Sequence, residues 1–415
     1  MSGRGAGCPA EDTRTFFRSR WVPRPAHVRE LDPAGLAQGF RAAGVAAGLK
    51  SEGPDVGVLV SDPAETVSAA RFTTNARVGA PVMVSREAAL QRLRAVVANS
   101  GGSNTGDGER GLETARATQR LAAELLDLDP AQIGVASTGL IGTELPRQPL
   151  LTGVRAAVEQ LGPGAEDFSR ALLTSDLGPK RACLSVELPG GAVTLSAQAK
   201  GAGMVSPRFA TMFCFVQTDA ALSAETLDLL TGVTVKRSFD RISVDGQLST
   251  SDTVFVLANG ASGVAVAAES KAELRLGEAM DALLRQLALE IVSDGEGAGR
   301  VGRVVVRGPG ELVEPVARAV ANSNLVKAAL YGGDPNFGRI LQAAGMVCPP
   351  GPAALVDLEI DGRLVVSAGE TVGEADAFGD EVEFALTLPG GSAETEVFFS
   401  DLSLDYVRFN SEYTT

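Results

Sequence analysis

Thr211, in the middle of the chain, follows the small residue Ala210 in a segment that opens with Lys200 and two glycines. If the 210–211 peptide bond is cut, Thr211 becomes a chain terminus whose hydroxyl lies beside its own α-amine. That amine can accept the hydroxyl proton, so one residue supplies both nucleophile and base. Taken alone, an Ala-Thr pair carries no functional signal, and the start of a buried strand is the better interpretation of it.

The composition leaves few other bases for an enzyme. The single histidine, His27, lies in residues 1–29, which mix Gly, Pro, Arg and Ser without a period and which we expect to be a disordered extension. A Ser-His-Asp or Cys-His site cannot be built from a histidine placed there. The four cysteines are far apart and form no CxxC pair, so neither a metal site nor a disulfide framework is expected; they are Cys8, Cys183, Cys214 and Cys348.

The net charge and the hydropathy of the sequence disfavour several classes of binding partner and several cellular locations. The formal net charge of −14 disfavours non-specific binding to nucleic acid and to anionic membranes. The sequence contains neither an apolar signal-peptide core nor a run of about 18 apolar residues, so export and membrane spanning are not supported. A reducing cytoplasm suits the scattered cysteines and is the expected location.

Two further segments carry residue types with chemical uses. In residues 136–142, the Thr138 hydroxyl and the Gly139 N–H could converge on an oxyanion, although an ordinary strand-to-loop turn would look the same. In residues 294–300, Glu296 stands among glycines. That stretch follows a helix pattern and lacks the lysine of a phosphate loop, so Glu296 could either meet a cationic substrate group or simply close the helix.

The elements that would position these residues can be predicted from periodicity. Helices are expected over 113–126, 280–291 and 311–321, and short buried strands over 56–60 and 93–98. Alternation broken by glycine-containing turns predicts hairpins, at 184–193, 355–366 and 381–391. The fold class is therefore α/β or α+β, with mixed sheets covered by helices.

Taken together and in order, these segments resemble the glutamate N-acetyltransferase family, also called ornithine acetyltransferase, of arginine biosynthesis. The resemblance runs from residue 39 to the end of the chain. Its motifs are Phe72-Thr-Thr-Asn75, Val97-Ala-Asn-Ser-Gly101, Ser137-Thr-Gly139, Asp294-Gly-Glu-Gly-Ala298, Asp334-Pro-Asn336 and Tyr406-Val-Arg-Phe-Asn-Ser-Glu-Tyr413.

The resemblance implies a layered sandwich of mixed sheets between helices, of the self-processing N-terminal-nucleophile type related to the DmpA-like aminopeptidase fold. It implies a cut before Thr211 that leaves an α chain (30–210, after the extension) and a β chain (211–415), together in an α2β2 assembly. The implied reaction is ping-pong: acetyl passes from N-acetylornithine to the threonine and then to glutamate. Acetyl-CoA is a second donor in some members, and no cofactor or metal is implied.

The resemblance also assigns roles by position. Thr211 matches the nucleophile, and Thr138 and Gly139 match the oxyanion hole. The matched substrate-binding positions are Thr174, Lys200, Thr211, Glu296, Asn410 and Thr415. Lys200 could pair with an amino-acid carboxylate and Glu296 with a substrate ammonium.

Some residues depart from the family pattern, namely Arg208, Phe209 and Gln247. They leave open a related acetyltransferase of secondary metabolism with another donor or acceptor. The residues are also compatible with two different functions. One is that of an amidase or aminopeptidase with the same terminal threonine, and the second is that of an unprocessed binding protein that keeps the fold alone.

Overall fold

The computed structural model describes residues 15–206, 212–351 and 355–412. Its strands are β1 (Val28–Glu30), β2 (Phe40–Val45), β3 (Val56–Ser61), β4 (Val67–Phe72), β5 (Ala95–Asn99), β6 (Ile133–Ser137), β7 (Lys180–Leu188), β8 (Gly191–Lys200), β9 (Phe213–Thr218), β10 (Ile242–Ser243), β11 (Thr253–Ala258), β12 (Val301–Gly308), β13 (Asp357–Ile360), β14 (Arg363–Ser367), β15 (Glu370–Thr371), β16 (Glu381–Thr387) and β17 (Ala393–Ser400). Its α-helices are α1 (Ala80–Arg86), α2 (Gly108–Leu126), α3 (Arg147–Glu159), α4 (Glu166–Ala171), α5 (Ala224–Arg237), α6 (Lys271–Asp294), α7 (Gly310–Ala321), α8 (Asn324–Gly332), α9 (Phe337–Gly345) and α10 (Leu404–Glu412).

Two sheets are stacked face to face in the first part of the fold. Sheet I has the strand order β1-β7-β8-β9-β11-β4, and sheet II has the order β2-β3-β5-β6. Buried side chains of both sheets share one core, in which Leu59 and Val96 of sheet II meet Phe215 and Phe255 of sheet I. Phe168 of α4 closes this core, with its ring 5.5 Å from that of Phe215.

Helices cover the outer faces of both sheets. Helices α2 and α3 bury apolar side chains against sheet II, and α5 and α6 do the same against sheet I. Helix α6 is amphipathic because Leu276, Met280, Leu283, Leu287 and Ile291 recur on one face, and all of them are buried. The result is a four-layer helix–sheet–sheet–helix sandwich.

A third sheet, sheet III, contains most of the strands from β10 onward, in the order β10-β17-β12-β16-β13-β14-β15. Helices α7, α8 and α9 contribute side chains to its core, among them Val316, Val320, Leu330 and Ile340. Sheet III is mixed, because β12 runs parallel to β16 and antiparallel to β17. No helix among the described residues is both long enough and apolar enough to cross a bilayer.

Most of the sequence-based elements are confirmed. The three predicted helices lie within α2, α6 and α7, the two buried strands overlap β3 and β5, and the first two hairpins are β7–β8 and β13–β14. The layered fold class with mixed sheets is confirmed as well. The third hairpin was wrong: β16 and β17 do not pair, because β12 lies between them.

The expected disorder of residues 1–29 does not hold for residues 15–29; residues 1–14 lie outside the described part. Val22 and Val28 are buried, and the Trp21 ring lies 5.6 Å from that of Phe398. Strand β1 adds to the edge of sheet I by antiparallel pairing with β7. His27 packs against α6, where its Nε2 is 2.9 Å from the Arg275 carbonyl oxygen. Apolar residues scattered among arginines gave no period, yet they suffice to fix this segment on the sheet.

Candidate active site

Lys200, the last residue of β8, is buried, and it brings several of the predicted site residues together. Its Nζ donates to Thr174 Oγ1 at 2.7 Å and to Thr138 Oγ1 at 3.3 Å. The same Nζ lies 3.9 Å from Asp176 Oδ2. Residues that stand far apart in the sequence therefore meet at the end of sheet I.

Thr138 and Gly139 follow β6 at the edge of sheet II. Gly139 has a φ of +125°, which favours glycine, and a Cβ there would lie 2.7 Å from the Gly102 nitrogen. The turn is held from that side, since Gly102 N–H donates to the Thr138 carbonyl at 3.1 Å. Close packing of two loops explains why position 139 needs glycine, and it holds the backbone of Thr138, whose hydroxyl accepts from Lys200.

A buried charge network supports Lys200. Asp176 accepts from Lys180 Nζ at 2.7 Å and from Gly201 N–H at 2.6 Å, and Lys180 also binds Asp294. Burial alone would raise the pKa of Asp176, but the ammonium groups of Lys180 and Lys200 outweigh it and hold the pKa well below its usual range. Asp176 is therefore a fixed negative charge under the site.

The two lysines respond to this network in opposite directions. Burial lowers the pKa of Lys200, because Asp176 compensates its charge only in part and Lys180 repels it. Burial acts the same way on Lys180, but Asp176 and Asp294 together outweigh it and raise the pKa. The charge of Lys180 is thus fully compensated by two carboxylates, which is typical of a structural ion pair. The charge of Lys200 is compensated only in part, so its ammonium group favours the binding of an anion.

Glu296 faces the same region from the end of α6. It adopts a φ of +48°, in the left-handed region that few residues other than glycine enter. Its carboxylate accepts from Ser175 Oγ at 2.8 Å and from Asn410 Nδ2 at 2.6 Å. A side chain at Gly203 would clash with that carboxylate, so the glycines after Lys200 let the chain pass close to Glu296. Predicted residues Thr174, Glu296 and Asn410 are therefore gathered by one polar cluster.

Several predicted residues lie outside the described part of the chain: Arg208, Phe209, Ala210, Thr211 and Thr415. The chain is described on both sides of the first four. Met212 is buried just before β9, and Phe213 pairs with Lys200 across the β8–β9 ladder. The chain between Lys200 and Phe213 thus links the ends of two neighbouring strands, β8 and β9, at the end of sheet I where Lys200 lies. Gln247, the remaining departure, is an exposed residue of the turn after β10, where its N–H donates to Asp245.

Sequence reasoning missed the acidic residues that support the site. Asp176 closes a short Thr-Ser-Asp run, and Asp252 stands in a Ser-Thr-Ser-Asp-Thr run, although its Oδ1 accepts from Met212 N–H at 3.1 Å. An acid among serines and threonines is typical of a turn, so neither pattern predicts a role in the site. The only signal for Asp176 was its position two residues after Thr174, which the resemblance predicts to bind substrate.

The fold and this cluster define an enzyme of the layered α/β-sandwich class, with a buried hydroxyl-and-ammonium site suited to binding an amino acid. The model of the ArgJ family matches residues 41–415, and the chain belongs to the ArgJ family. The resemblance seen in the sequence is thereby confirmed.

Relatives cover almost the whole chain. The Symbiobacterium thermophilum protein, described as arginine biosynthesis bifunctional protein ArgJ, is 41% identical over 391 residues, spanning 91% of this chain and 97% of its own. A protein of the same description from Nitratidesulfovibrio vulgaris is 40% identical over 389 residues, with 91% and 98% covered. A crystal structure of Mycobacterium tuberculosis ornithine acetyltransferase complexed with ornithine is 33% identical, covering 45% of this chain and 99% of that one, with a TM-score of 0.40.

Proposed function

We propose that this enzyme cuts itself between Ala210 and Thr211 and then moves acetyl from N-acetylornithine to glutamate through an acetyl ester on Thr211. The observation that carries the proposal is the convergence of Lys200 on Thr138 and Thr174, at the strand end from which the chain continues to Thr211. Membership of the ArgJ family, and relatives described as proteins of arginine biosynthesis, support it.

In the first half-reaction, the free α-amine of Thr211 accepts the proton of its own hydroxyl, and Oγ attacks the acetyl carbonyl of N-acetylornithine. The Thr138 hydroxyl and the Gly139 N–H donate to the oxyanion that forms. Collapse breaks the C–N bond, the proton passes from the Thr211 ammonium to the leaving nitrogen, and ornithine departs. Glutamate then attacks the ester carbonyl through its neutral amine, and the C–O bond to Thr211 breaks. The Thr211 α-amine takes the proton of the attacking nitrogen and returns it to the Thr211 oxygen, which gives N-acetylglutamate and the free enzyme.

The charged residues would hold the two amino acids in turn. Lys200 provides a buried ammonium for a substrate carboxylate, and Glu296 a carboxylate for a substrate ammonium, with Asn410 hydrogen-bonded to Glu296. Thr174 accepts from Lys200 and its neighbour Ser175 donates to Glu296, so the two adjacent residues connect the charged groups. We assign Thr415, at the end of the chain, to the same pocket by the resemblance alone. Acetyl-CoA as a second donor and an α2β2 assembly are parts of the same proposal.

The proposal also includes the cellular compartment of the enzyme, which is the cytoplasm. Cys183 and Cys214 are buried free thiols, and burial raises the pKa of Cys183 to about 11, so this thiol is unreactive. Unpaired thiols of this kind suit the reducing cytoplasm in which amino-acid biosynthesis takes place.

The test is to incubate purified protein with N-acetylornithine and glutamate, and separately with acetyl-CoA and glutamate, and to follow products by mass spectrometry. From N-acetylornithine and glutamate we expect N-acetylglutamate and ornithine in equal amounts. Under denaturing conditions we expect two fragments, residues 1–210 and 211–415. The matched control is Thr211→Ala, which should stay uncut and inactive. Acetate in place of N-acetylglutamate would identify an amidase instead, and full transfer by an uncut chain would refute the free-amine mechanism.

A further inference from the structure

Lys50 is a half-buried cation in the loop between β2 and β3. Its Nζ donates to the Leu173 carbonyl at 3.0 Å. Within the described residues Lys50 forms no ion pair with a carboxylate, and its one hydrogen-bond partner there is this neutral carbonyl. The side chain therefore has a positive charge and further N–H donors that the protein itself does not use.

The backbone around Lys50 is fixed from two sides. The completely buried carboxylate of Asp55 accepts three backbone N–H groups of the loop, those of Ala47 and Leu49 at 2.6 Å and that of Lys50 at 3.1 Å. On the other side the loop packs against the turn after β5, where a Cβ at Gly101 would lie 2.5 Å from the Leu49 carbonyl oxygen. The same turn holds the backbone of the predicted oxyanion residues, so the Lys50 loop is part of the wall of the site.

Three charged side chains of the site meet one short stretch of chain, residues 173–175. Each residue of this stretch hydrogen-bonds one of them, in the order Leu173 with Lys50, Thr174 with Lys200, and Ser175 with Glu296. Consecutive Cα atoms are about 3.8 Å apart, so the three contacts fall within about 8 Å along the chain. A ligand the size of an amino acid can therefore interact with more than one of the charged groups.

The charges of the two lysines also act on each other. Burial lowers the pKa of Lys50, and the ammonium group of Lys200 adds to this shift, although Asp55 and Asp176 oppose it. Two neighbouring cations that are not fully compensated favour a ligand with two anionic groups.

The two proposed substrates present opposite charges at the ends of their side chains. Both have an α-carboxylate, but the side chain of N-acetylornithine ends in an ammonium and that of glutamate in a carboxylate. In the ping-pong reaction the α-nitrogen of each must reach the same acetyl carbonyl, so both side chains extend into the same part of the pocket. Glu296 suits the ammonium of the donor and repels the carboxylate of the acceptor, which therefore needs a cation nearby.

We propose that Lys50 determines the specificity for the acetyl acceptor: its ammonium group binds the side-chain carboxylate of glutamate, while Lys200 binds the α-carboxylate. The inference rests on the proposed function, since it concerns the second substrate of the same reaction. Lys50 takes part in no covalent step. One pocket accepts both side chains in turn because Lys50 and Glu296 carry opposite charges and contact residues 173 and 175 on either side of Thr174.

The test compares glutamate with glutamine as acceptors of acetyl from N-acetylornithine, because glutamine has nearly the same shape and no side-chain charge. In Lys50→Met we expect the ratio of kcat/KM for glutamate to kcat/KM for glutamine to fall by roughly 10–100-fold, the loss of one charge-assisted hydrogen bond. Lys50→Arg keeps the positive charge and should retain most of the preference. The matched control is Lys236→Met, which removes an exposed lysine of α5 and should leave the ratio as in the wild type.

Both acceptors are measured on one preparation, so a loss of folded enzyme lowers both rates alike and leaves the ratio unchanged. If Lys50→Met gives no soluble enzyme, Lys50→Gln is compared in the same way, since it keeps a donor for the Leu173 carbonyl without the charge. A wild-type enzyme without preference for glutamate, or a variant with the wild-type ratio, would overturn the inference and leave the proposed function intact. Failure of the wild-type enzyme to acetylate any amino acid from N-acetylornithine would overturn the proposed function itself.

Discussion

At the scale of single residues, the contrast between Lys180 and Lys200 separates stability from function. Lys180 bridges two buried carboxylates, Asp176 and Asp294, which together raise its pKa. Burial lowers the pKa of Lys200, although Asp176, at 3.9 Å, and the more weakly acting Asp252 and Glu296 oppose the shift. A protein gains little stability from an ammonium in that condition, which suits a group kept for an arriving substrate.

We therefore expect opposite phenotypes from two equivalent substitutions. Lys180→Met should lower the free energy of unfolding by about 3–5 kcal/mol, because it leaves two buried carboxylates without their cation. Lys200→Met should change stability much less but raise KM for amino-acid substrates by roughly 10–100-fold, the loss of one charge-assisted hydrogen bond. Urea unfolding and steady-state kinetics measure the two effects. Equal destabilisation by both substitutions would contradict this division of roles.

Thr138 is the second residue whose role can be isolated. If its hydroxyl donates to the developing oxyanion, Thr138→Ala should lower kcat by roughly 10²–10³-fold with little change in KM. Thr138→Ser is the matched control, since it keeps the hydroxyl and removes only a methyl group. A rate unaffected in the alanine variant would remove Thr138 from the oxyanion site.

At the scale of elements, the sequence predicted those helices and turns that are determined by residues close together along the chain. The amphipathic spacing in α6 and the turn in the β7–β8 hairpin were visible because each is decided by residues close in sequence. The order of β16, β12 and β17 was not visible, since β12 is inserted between them from some 75 residues earlier along the chain. The site followed the same division: its threonines and Lys200 were found by resemblance, whereas Asp252 depends on the β9–β11 register.

Helix α8 meets the end of β17 through Lys327, which is buried. Its Nζ donates to the Ser400 carbonyl at 2.5 Å and lies 5.4 Å from the centre of the Phe399 ring. Burial lowers the pKa of Lys327 to about 7, although Asp245 and Asp401 oppose the shift. In the unfolded chain the same group titrates near its ordinary value of 10.5.

This contact should make stability depend on pH. Between pH 7 and 10.5 the unfolded chain binds a proton at Lys327 that the folded chain does not, so lowering the pH favours unfolding. From about pH 9 to about pH 7 the free energy of unfolding should fall by roughly 2–3 kcal/mol from this group. Urea unfolding at several pH values measures it, and Lys327→Met should flatten the curve. Parallel curves for the two proteins would show that Lys327 is charged in the fold.

At the scale of the whole molecule, the proposed cut falls between two neighbouring strands of one sheet. Strands β8 and β4 of sheet I belong to residues before 211, and β9 and β11 belong to residues after it. The β9–β11 pair is inserted between β8 and β4, with six residue pairs aligned on each side. The two proposed chains are thus parts of one core and not separate domains.

Cut protein should therefore behave as one folding unit. We expect both fragments to elute together in native buffer and to unfold in a single urea transition, because separation would break two strand ladders and the core that they carry. Size-exclusion chromatography with denaturing electrophoresis of each fraction measures this. Fragments that elute apart without denaturant would contradict it.

The insertion of β9 and β11 between β8 and β4 also has a consequence for how the polypeptide is synthesised. Were residues 1–210 and 211–415 translated from separate messages, each polypeptide would leave the ribosome with bare strand edges that invite aggregation until its counterpart arrived. When both parts are translated as one chain, β9 and β11 are covalently linked to β8 and β4 and therefore meet them at a high local concentration. The proposed cut would therefore follow the formation of the tertiary structure, and the two parts made independently should assemble less efficiently than the continuous chain.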